Sequence, residues 1–248
     1  MTDRTVAVIV NSPCNPTGVC YSRDELTALA MVIAEHPTAT LISDEIYEDL
    51  VYAEISTDAV AFSPGSIPEL AERTVTLNGL SKSMAMTGWR IGWAVAPGDG
   101  GEVAKAMTRL QSQMTSGIAT FLMPAAAKAV EHQSETSGAM RSVFVARARL
   151  VSELLGEIDR FKTVPPSGAF YAFPDISSCF GLVSPAGRRI DSAATFAEAI
   201  LEEKEVAVVP GEDFGEIARD HIRLSFACNE DQIRAGLGRI SDWVGSLS

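Results

Sequence analysis

The chain has 248 residues, 46% of them hydrophobic and 21% charged, with a formal net charge of −12. That length holds one large domain or two modest ones, and the balance is that of an ordinary globular protein. The acid excess argues against a nucleic-acid partner, since no basic stripe is present to neutralise phosphates, and no apolar run approaches the length that spans a bilayer.

Met1-Thr2-Asp3-Arg4 lacks the basic start and long apolar core of a secretory signal. Cys14, Cys20, Cys179 and Cys228 show no CxxC spacing, and they read as reduced thiols of a cytoplasmic protein. His36, His132 and His221 lie far apart and form no metal pattern.

Thr5 to Val10 is a β-branched apolar run that predicts a buried parallel strand. Asn11 to Gly18 is turn-rich. Ser22-Arg23-Asp24-Glu25 is a capping box opening a helix to about Glu35. Strands are predicted over Ala39–Ser43, over Thr74–Leu77 with an Asn-Gly turn after it, and over Arg90–Ala96. Strands alternating with helices imply an α/β layer with a largely parallel sheet. From Gly101 the chain turns helical, with a long stretch from Pro124 to about Ile158 and Gly138 as its break. Beyond it, short strands (Phe161–Val164, Ala169–Phe173, Val206–Val209, His221–Phe226) mix with helices over Ser192–Glu203 and Glu230–Val244. The expected organisation is a first domain over 1–150 and a smaller α+β domain over 151–248.

Several short segments carry chemistry, and each has a plain structural alternative. Asn15-Pro16-Thr17-Gly18 after the first strand is a tight turn on its own chemistry. Asp44, in Ser43-Asp44-Glu45-Ile46-Tyr47 at the end of the second strand, could cap the element that follows. Lys82 follows the third strand in Asn78-Gly79-Leu80-Ser81-Lys82, and Arg90 stands eight residues later in Met86-Thr87-Gly88-Trp89-Arg90-Ile91-Gly92. An isolated lysine is ordinarily a surface residue, whereas one desolvated past a buried strand end becomes a usable amine nucleophile. Arg223 alternates with apolar neighbours in His221-Ile222-Arg223-Leu224-Ser225-Phe226, a pattern an outward strand residue also gives. Pro166-Ser167-Gly168-Ala169-Phe170-Tyr171 and Val206–Gly211 with Phe214-Gly215 precede it.

Taken together, in this order, these segments resemble class I/II aminotransferases, fold-type I enzymes that use pyridoxal 5'-phosphate (PLP), and are most similar to the bacterial aspartate and aromatic aminotransferase subgroup. The resemblance implies an incomplete large PLP-binding domain with a mostly parallel sheet, plus a smaller C-terminal α+β domain. It implies that Lys82 carries the cofactor and serves as general base and acid, and that Asp44 pairs with the pyridine nitrogen. Asn15 and Tyr47 would hydrogen-bond the phenolic oxygen, Asn15 being followed by a cis proline bond. Arg90 would grip the phosphate with its planar fork, and Ser81 would bind it too; Gly79 stands where relatives often place a second hydroxyl. Arg223 would pair with the α-carboxylate of the substrate, beside Asn15.

The implied activity is amino-group transfer between an L-amino acid and a 2-oxo acid, in a cytoplasmic homodimer that binds neither nucleic acid, membrane nor metal. A lyase or synthase on the same fold and a non-catalytic remnant stay open as alternatives. The segment Gln111 to Gly117 stays open between a reach toward a partner subunit and a solvated linker. The resemblance covers only the later part of a family chain, because Met1 falls just before the Asn-Pro-Thr-Gly strand. A truncated reading frame, a fragment or one half of a split enzyme is therefore expected, with impaired activity.

Overall fold

The computed structural model describes residues 1–98 and 101–248. Contacts divide them into two units, Met1–Pro13 with Cys20–Ser142, and Cys14–Val19 with Val143–Ser248. The division falls inside a helix, eight residues before the boundary the sequence suggests. The turn Cys14–Val19, expected in the first part, clusters with the second.

The first unit is built on a four-stranded sheet of order β1-β2-β3-β4, comprising β1 (Ala7–Asn11), β2 (Thr40–Asp44), β3 (Thr74–Gly79) and β4 (Gly92–Val95). The first three strands are parallel and β4 is antiparallel to β3. Helix α1 (Arg23–Ala34) makes the β1–β2 crossover. Its start is set locally: the Ser22 hydroxyl accepts from Glu25 N, and the Glu25 carboxylate accepts from Ser22 N. Leu26, Ala30 and Ile33, at helical spacing, are buried with Val10, Leu41 and Leu70. Each large aliphatic side chain buried this way contributes about 1.5–3 kcal/mol. Arg73, just before β3, donates to the carbonyl of Ala34 at the end of α1 and to those of His36 and Ala39 in the loop that follows.

Two local expectations fail here for tertiary reasons. Asn78-Gly79 is not a turn but the end of β3, because Asn78 and Gly79 pair with Trp93 and Gly92. A Cβ on Gly79 would lie 2.8 Å from the Ile91 carbonyl oxygen, so only glycine permits this approach. Strand β4 starts at Gly92 rather than Arg90, since Arg90 holds a left-handed conformation (φ 58°) after the short turn Thr87–Trp89. Two four-residue helices went unpredicted, α2 (Pro68–Ala71) and α3 (Leu80–Ser83).

Helix α4 (Glu102–Met114) follows, taking in Gln111 of the undecided segment. No residue of α4 or of β4 is buried, and Leu110, Met114, Phe121, Val95 and Ile9 are exposed. Such a density of bare apolar side chains marks a surface that ordinarily has a cover. Helices α5 (Met123–Glu131) and α6 (Gln133–Gly156) break at His132, not at Gly138. A single mid-helix glycine costs only about 1 kcal/mol, too little to interrupt a helix anchored by side chains. The first part of α6 is anchored by Gln133 on Asp49 and by Arg141 on Glu54 and the Val51 carbonyl.

In the second unit the later part of α6 buries Phe144, Ala148, Val151 and Leu155. Helices α7 (Ala193–Lys204) and α8 (Glu230–Gly245) carry capping boxes at Ser192 and Asn229. Their buried faces meet where Phe196 packs edge-on against Trp243, ring centroids 5.0 Å apart. The Trp243 indole donates to Glu203, which also accepts from Ser184, so the buried ring leaves no stranded donor. The antiparallel sheet has the order β5-β7-β6, from β5 (Tyr171–Ala172), β6 (Val209–Pro210) and β7 (Ile222–Ser225). These strands are shorter than the sequence suggests. Phe161–Val164 is no strand and contributes one isolated bridge, Lys162 to Asp175.

Candidate active site

In the first unit the parallel strands bring their carboxyl ends to one end of the sheet, the usual place for ligand chemistry in α/β layers. Asn11, Asp44 and Leu77 are register partners across β1, β2 and β3. Asp44 therefore closes the middle of this edge. The Asp44 carboxylate accepts from Ile46 N at 3.3 Å, and its backbone carbonyl accepts from the Asn11 side chain at 3.0 Å. The tight turn this makes carries Tyr47, which is buried. Ser81 and Lys82 lie in α3, immediately beyond β3. The Lys82 Nζ stands 5.9 Å from the centroid of the Tyr47 ring, an electrostatically favourable placement for a cation.

Antiparallel pairing returns β4 to the same end, with Gly92 opposite Gly79. A cavity of about 190 Å³ opens there, lined by Ile46, Gly79, Ser81, Arg90, Ile91 and Gly92. Its polar equipment is one hydroxyl and one guanidinium, a donor set that suits a phosphate-sized anion. Arg90 is exposed and donates to the Thr87 carbonyl at 3.0 Å, so its fork is steadied from one side. No hydroxyl fits at position 79, because the strand approach already excludes a Cβ.

The second unit holds the other two predicted residues. Asn15 lies in the Cys14–Val19 turn, and its bond to Pro16 is cis, as is that between Ser12 and Pro13. The turn is docked by its glycine: the Gly18 carbonyl accepts from Ser167 N at 2.8 Å and from Gly168 N at 2.9 Å. Gly18 has φ +70°, and a Cβ there would meet the Tyr171 carbonyl oxygen at 2.1 Å. Docking brings Asn15 to Arg223 on β7, whose Nη1 donates to Asn15 Oδ1 at 2.9 Å across 208 residues of sequence. Arg223 is not simply an outward strand residue. Its guanidinium lies over the rings of Tyr171 (4.8 Å) and Phe214 (5.0 Å), its Nε is buried with no hydrogen-bond partner, and it makes no salt bridge among the described residues. A cation so placed, with rings and a neutral amide as company, suits a carboxylate ligand.

The geometry thus groups Asp44, Tyr47, Ser81, Lys82 and Arg90 in one unit, and Asn15 with Arg223 in the other. Both rings fall in segments that carry the family resemblance, Pro166–Tyr171 and Phe214-Gly215, but the sequence did not place them beside Arg223. Nothing in period or spacing marks that adjacency, since residue 171 is 52 positions away and Phe214 sits in a non-repeating turn.

The family model for aminotransferase class I and II matches residues 2–240. The aspartate/prephenate aminotransferase of Cereibacter sphaeroides is 40% identical over 249 aligned residues, covering 100% of this chain and 60% of that protein. The aspartate aminotransferase of Geobacillus stearothermophilus is 41% identical over 97% of this chain and 58% of its own length. Among solved structures, the aspartate aminotransferase from Rhizobium meliloti superposes with a TM-score of 0.86 at 37% identity, over 100% of this chain and 60% of the other. The aspartate aminotransferase from Thermus thermophilus with maleate gives 0.82 at 41% identity, over 98% and 58%. The fold agrees with these enzymes over the whole chain, and the chain spans about 60% of the length of the curated relatives it matches. With the match of residues 2–240 and these identities, the chain belongs to the aminotransferase class I and II family.

Proposed function

We propose that this chain is the larger part of a PLP-dependent aminotransferase that moves an amino group between an L-amino acid and a 2-oxo acid. The observation that carries the reading is the amine of Lys82 at the sheet end that also holds Asp44, Tyr47 and the Ser81–Arg90 cavity. The donor set fits the cofactor. A hydroxyl and a guanidinium suit its phosphate, a carboxylate suits its ring nitrogen, and a primary amine suits its aldehyde. When bound, the cofactor supplies an electron sink for a carbanion at the substrate Cα.

The chain's own residues supply the rest. Arg90 and Ser81, which line the cavity, would hold the phosphate. Asp44, its carboxylate oriented by Ile46 N, would pair with the ring nitrogen and favour its protonated form, because a negative charge nearby favours the charged form. Tyr47 would donate to the phenolic oxygen, and the family resemblance gives Asn15 the same role. Arg223 donates to the carbonyl oxygen of the Asn15 amide, and it is the NH₂ group of an amide that would serve as the donor. The Lys82 amine would hold the cofactor through its aldehyde and would serve as general base toward the substrate Cα proton. Arg223 binds the substrate α-carboxylate and orients the Cα–H bond. The aspartate aminotransferase names among the relatives support an amino acid substrate of this kind. A cytoplasmic homodimer goes with the family resemblance.

The test is titration of the purified chain with PLP, borohydride reduction and peptide mapping. A pyridoxyl label confined to Lys82 and absent in Lys82→Ala is the expected result. A folded chain that takes no label, or takes it equally on other lysines, would sink the reading.

A further inference from the structure

Arg223 is set between two rings that belong to different elements, Tyr171 on β5 and Phe214 in the turn Gly211–Phe214. The seat of Phe214 is unusually determined. Gly211 opens its turn, donates its N–H to the His221 carbonyl at 2.8 Å, and approaches so closely that a Cβ would stand 1.9 Å from the Ala218 carbonyl oxygen. Phe173 then meets Phe214 edge-on, centroids 6.0 Å apart, and Phe173 is itself stacked on His221 at 4.9 Å and 15°. His221 immediately precedes β7 and Arg223 lies within it, so the row His221, Phe173, Phe214 begins and ends beside the same strand. The buried Arg223 Nε lacks a hydrogen bond, which leaves a buried donor uncompensated in the ligand-free protein.

We infer that Phe214 is a positioning residue: with Tyr171 it clamps the Arg223 guanidinium in its carboxylate-binding orientation before any ligand arrives, and the Phe173–His221 stack holds Phe214 in place. This rests on the reading of Arg223 as a carboxylate site. An arginine side chain has large rotamer freedom, and ordering it on binding would weaken the complex. The clamp removes that freedom in the free protein. Removal of one ring face should weaken carboxylate binding on the order of threefold to tenfold, the range expected of one cation–π contact.

The experiment compares the full chain with Phe214→Leu, Phe214→Met and Phe214→Tyr, using the Arg223 Nε–H resonance. In the ligand-free protein that proton is expected to be shifted by the rings and slow to exchange. Both features should persist in the Tyr variant and vanish in the Leu and Met variants. Titration with pyruvate, a small 2-oxo acid, should then show the threefold to tenfold loss for Leu and Met and near-normal affinity for Tyr. If all four proteins share one Nε–H signal and one affinity, the clamp is refuted while the carboxylate site stands. If the resonance follows the ring but pyruvate never perturbs Arg223 in the unsubstituted chain, the carboxylate reading is refuted, and the positioning role with it. The Met variant, unbranched and flexible enough to fill the space, guards against a Leu variant that does not fold.

Discussion

Gly18→Ala gives the sharpest test of how the second unit is assembled. Two effects add. Holding alanine at φ +70° costs about 1 kcal/mol. The new methyl would also lie 2.1 Å from the Tyr171 carbonyl oxygen and 2.9 Å from Pro166 Cβ. Neither neighbour is the far end of a flexible side chain, so the turn must lift. Lifting breaks the bonds from Ser167 N and Gly168 N to the Gly18 carbonyl, each contributing about 1 kcal/mol. The sum is about 3 kcal/mol, which at a urea m-value of about 2 kcal/mol/M lowers the unfolding midpoint by about 1.5 M. Gly187→Ala is the internal control. It has φ +85° and nothing within 4 Å of the place its methyl would take, so only the backbone cost of about 1 kcal/mol remains, or about 0.5 M. Urea unfolding followed by tryptophan fluorescence reads both, because Trp243 is buried in this unit. The Asn15 side-chain amide signal, held by Arg223, should change in Gly18→Ala and not in Gly187→Ala. Equal midpoints for the two variants would refute the docking argument.

Three further outcomes are expected. Burial pushes the Glu48 carboxyl up, with Asp49 and Glu45 adding to it against the hydrogen bond from Asn78. Its stabilising contribution is therefore full below the ordinary carboxylate range and lost as pH rises through the raised pKa. Glu48→Gln should melt higher than the parent at pH 7 and converge with it toward about pH 4; a parent that is the more stable at pH 7 would contradict this. Glu203 has the opposite sign. Burial alone would raise its carboxyl, but the bonds from Ser184 and Trp243, helped by Ala186 N and Arg188, hold it below the ordinary range. Its contribution is present above the ordinary pKa and lost as pH falls through the lowered one. Glu203→Gln should thus melt lower at pH 7, the gap closing in acid, and a gap constant with pH would count against it. Arg90→Ala should weaken PLP binding by roughly tenfold to a hundredfold, the range for a lost charge-assisted contact. Its melting temperature should barely move, since Arg90 is exposed; unaltered PLP affinity would remove Arg90 from the phosphate site.

Features fixed by residues a few positions apart were legible from covalent order alone. The capping box at Ser22 and Glu25 starts α1 where it should, because donor, acceptor and helix lie within one turn of chain. The apolar runs of β1 to β3 are likewise visible, and so are the motifs that carry Asp44, Ser81–Lys82 and Arg90. Elements that depend on partners were misjudged at their ends. Asn78-Gly79 has turn chemistry, yet β4 draws it into the sheet. Gly138 looks like a helix break, yet α6 runs through it and the break falls at His132 instead. Phe161–Val164 has strand composition but finds only one bridging partner.

The family, the order of the motifs and the residue types that chemistry on an amino acid requires could all be read along the chain. Those are properties of covalent order and of side-chain chemistry. Folding in three dimensions was needed to bring Asn15 to Arg223, 208 residues away, and to enclose the guanidinium between Tyr171 and Phe214. Such neighbours have no sequence period to announce them. They meet because a glycine at position 18 lets one turn press onto the Tyr171 carbonyl, and a glycine at position 211 lets another press onto the approach to β7. Close approach of backbones is a property of packing.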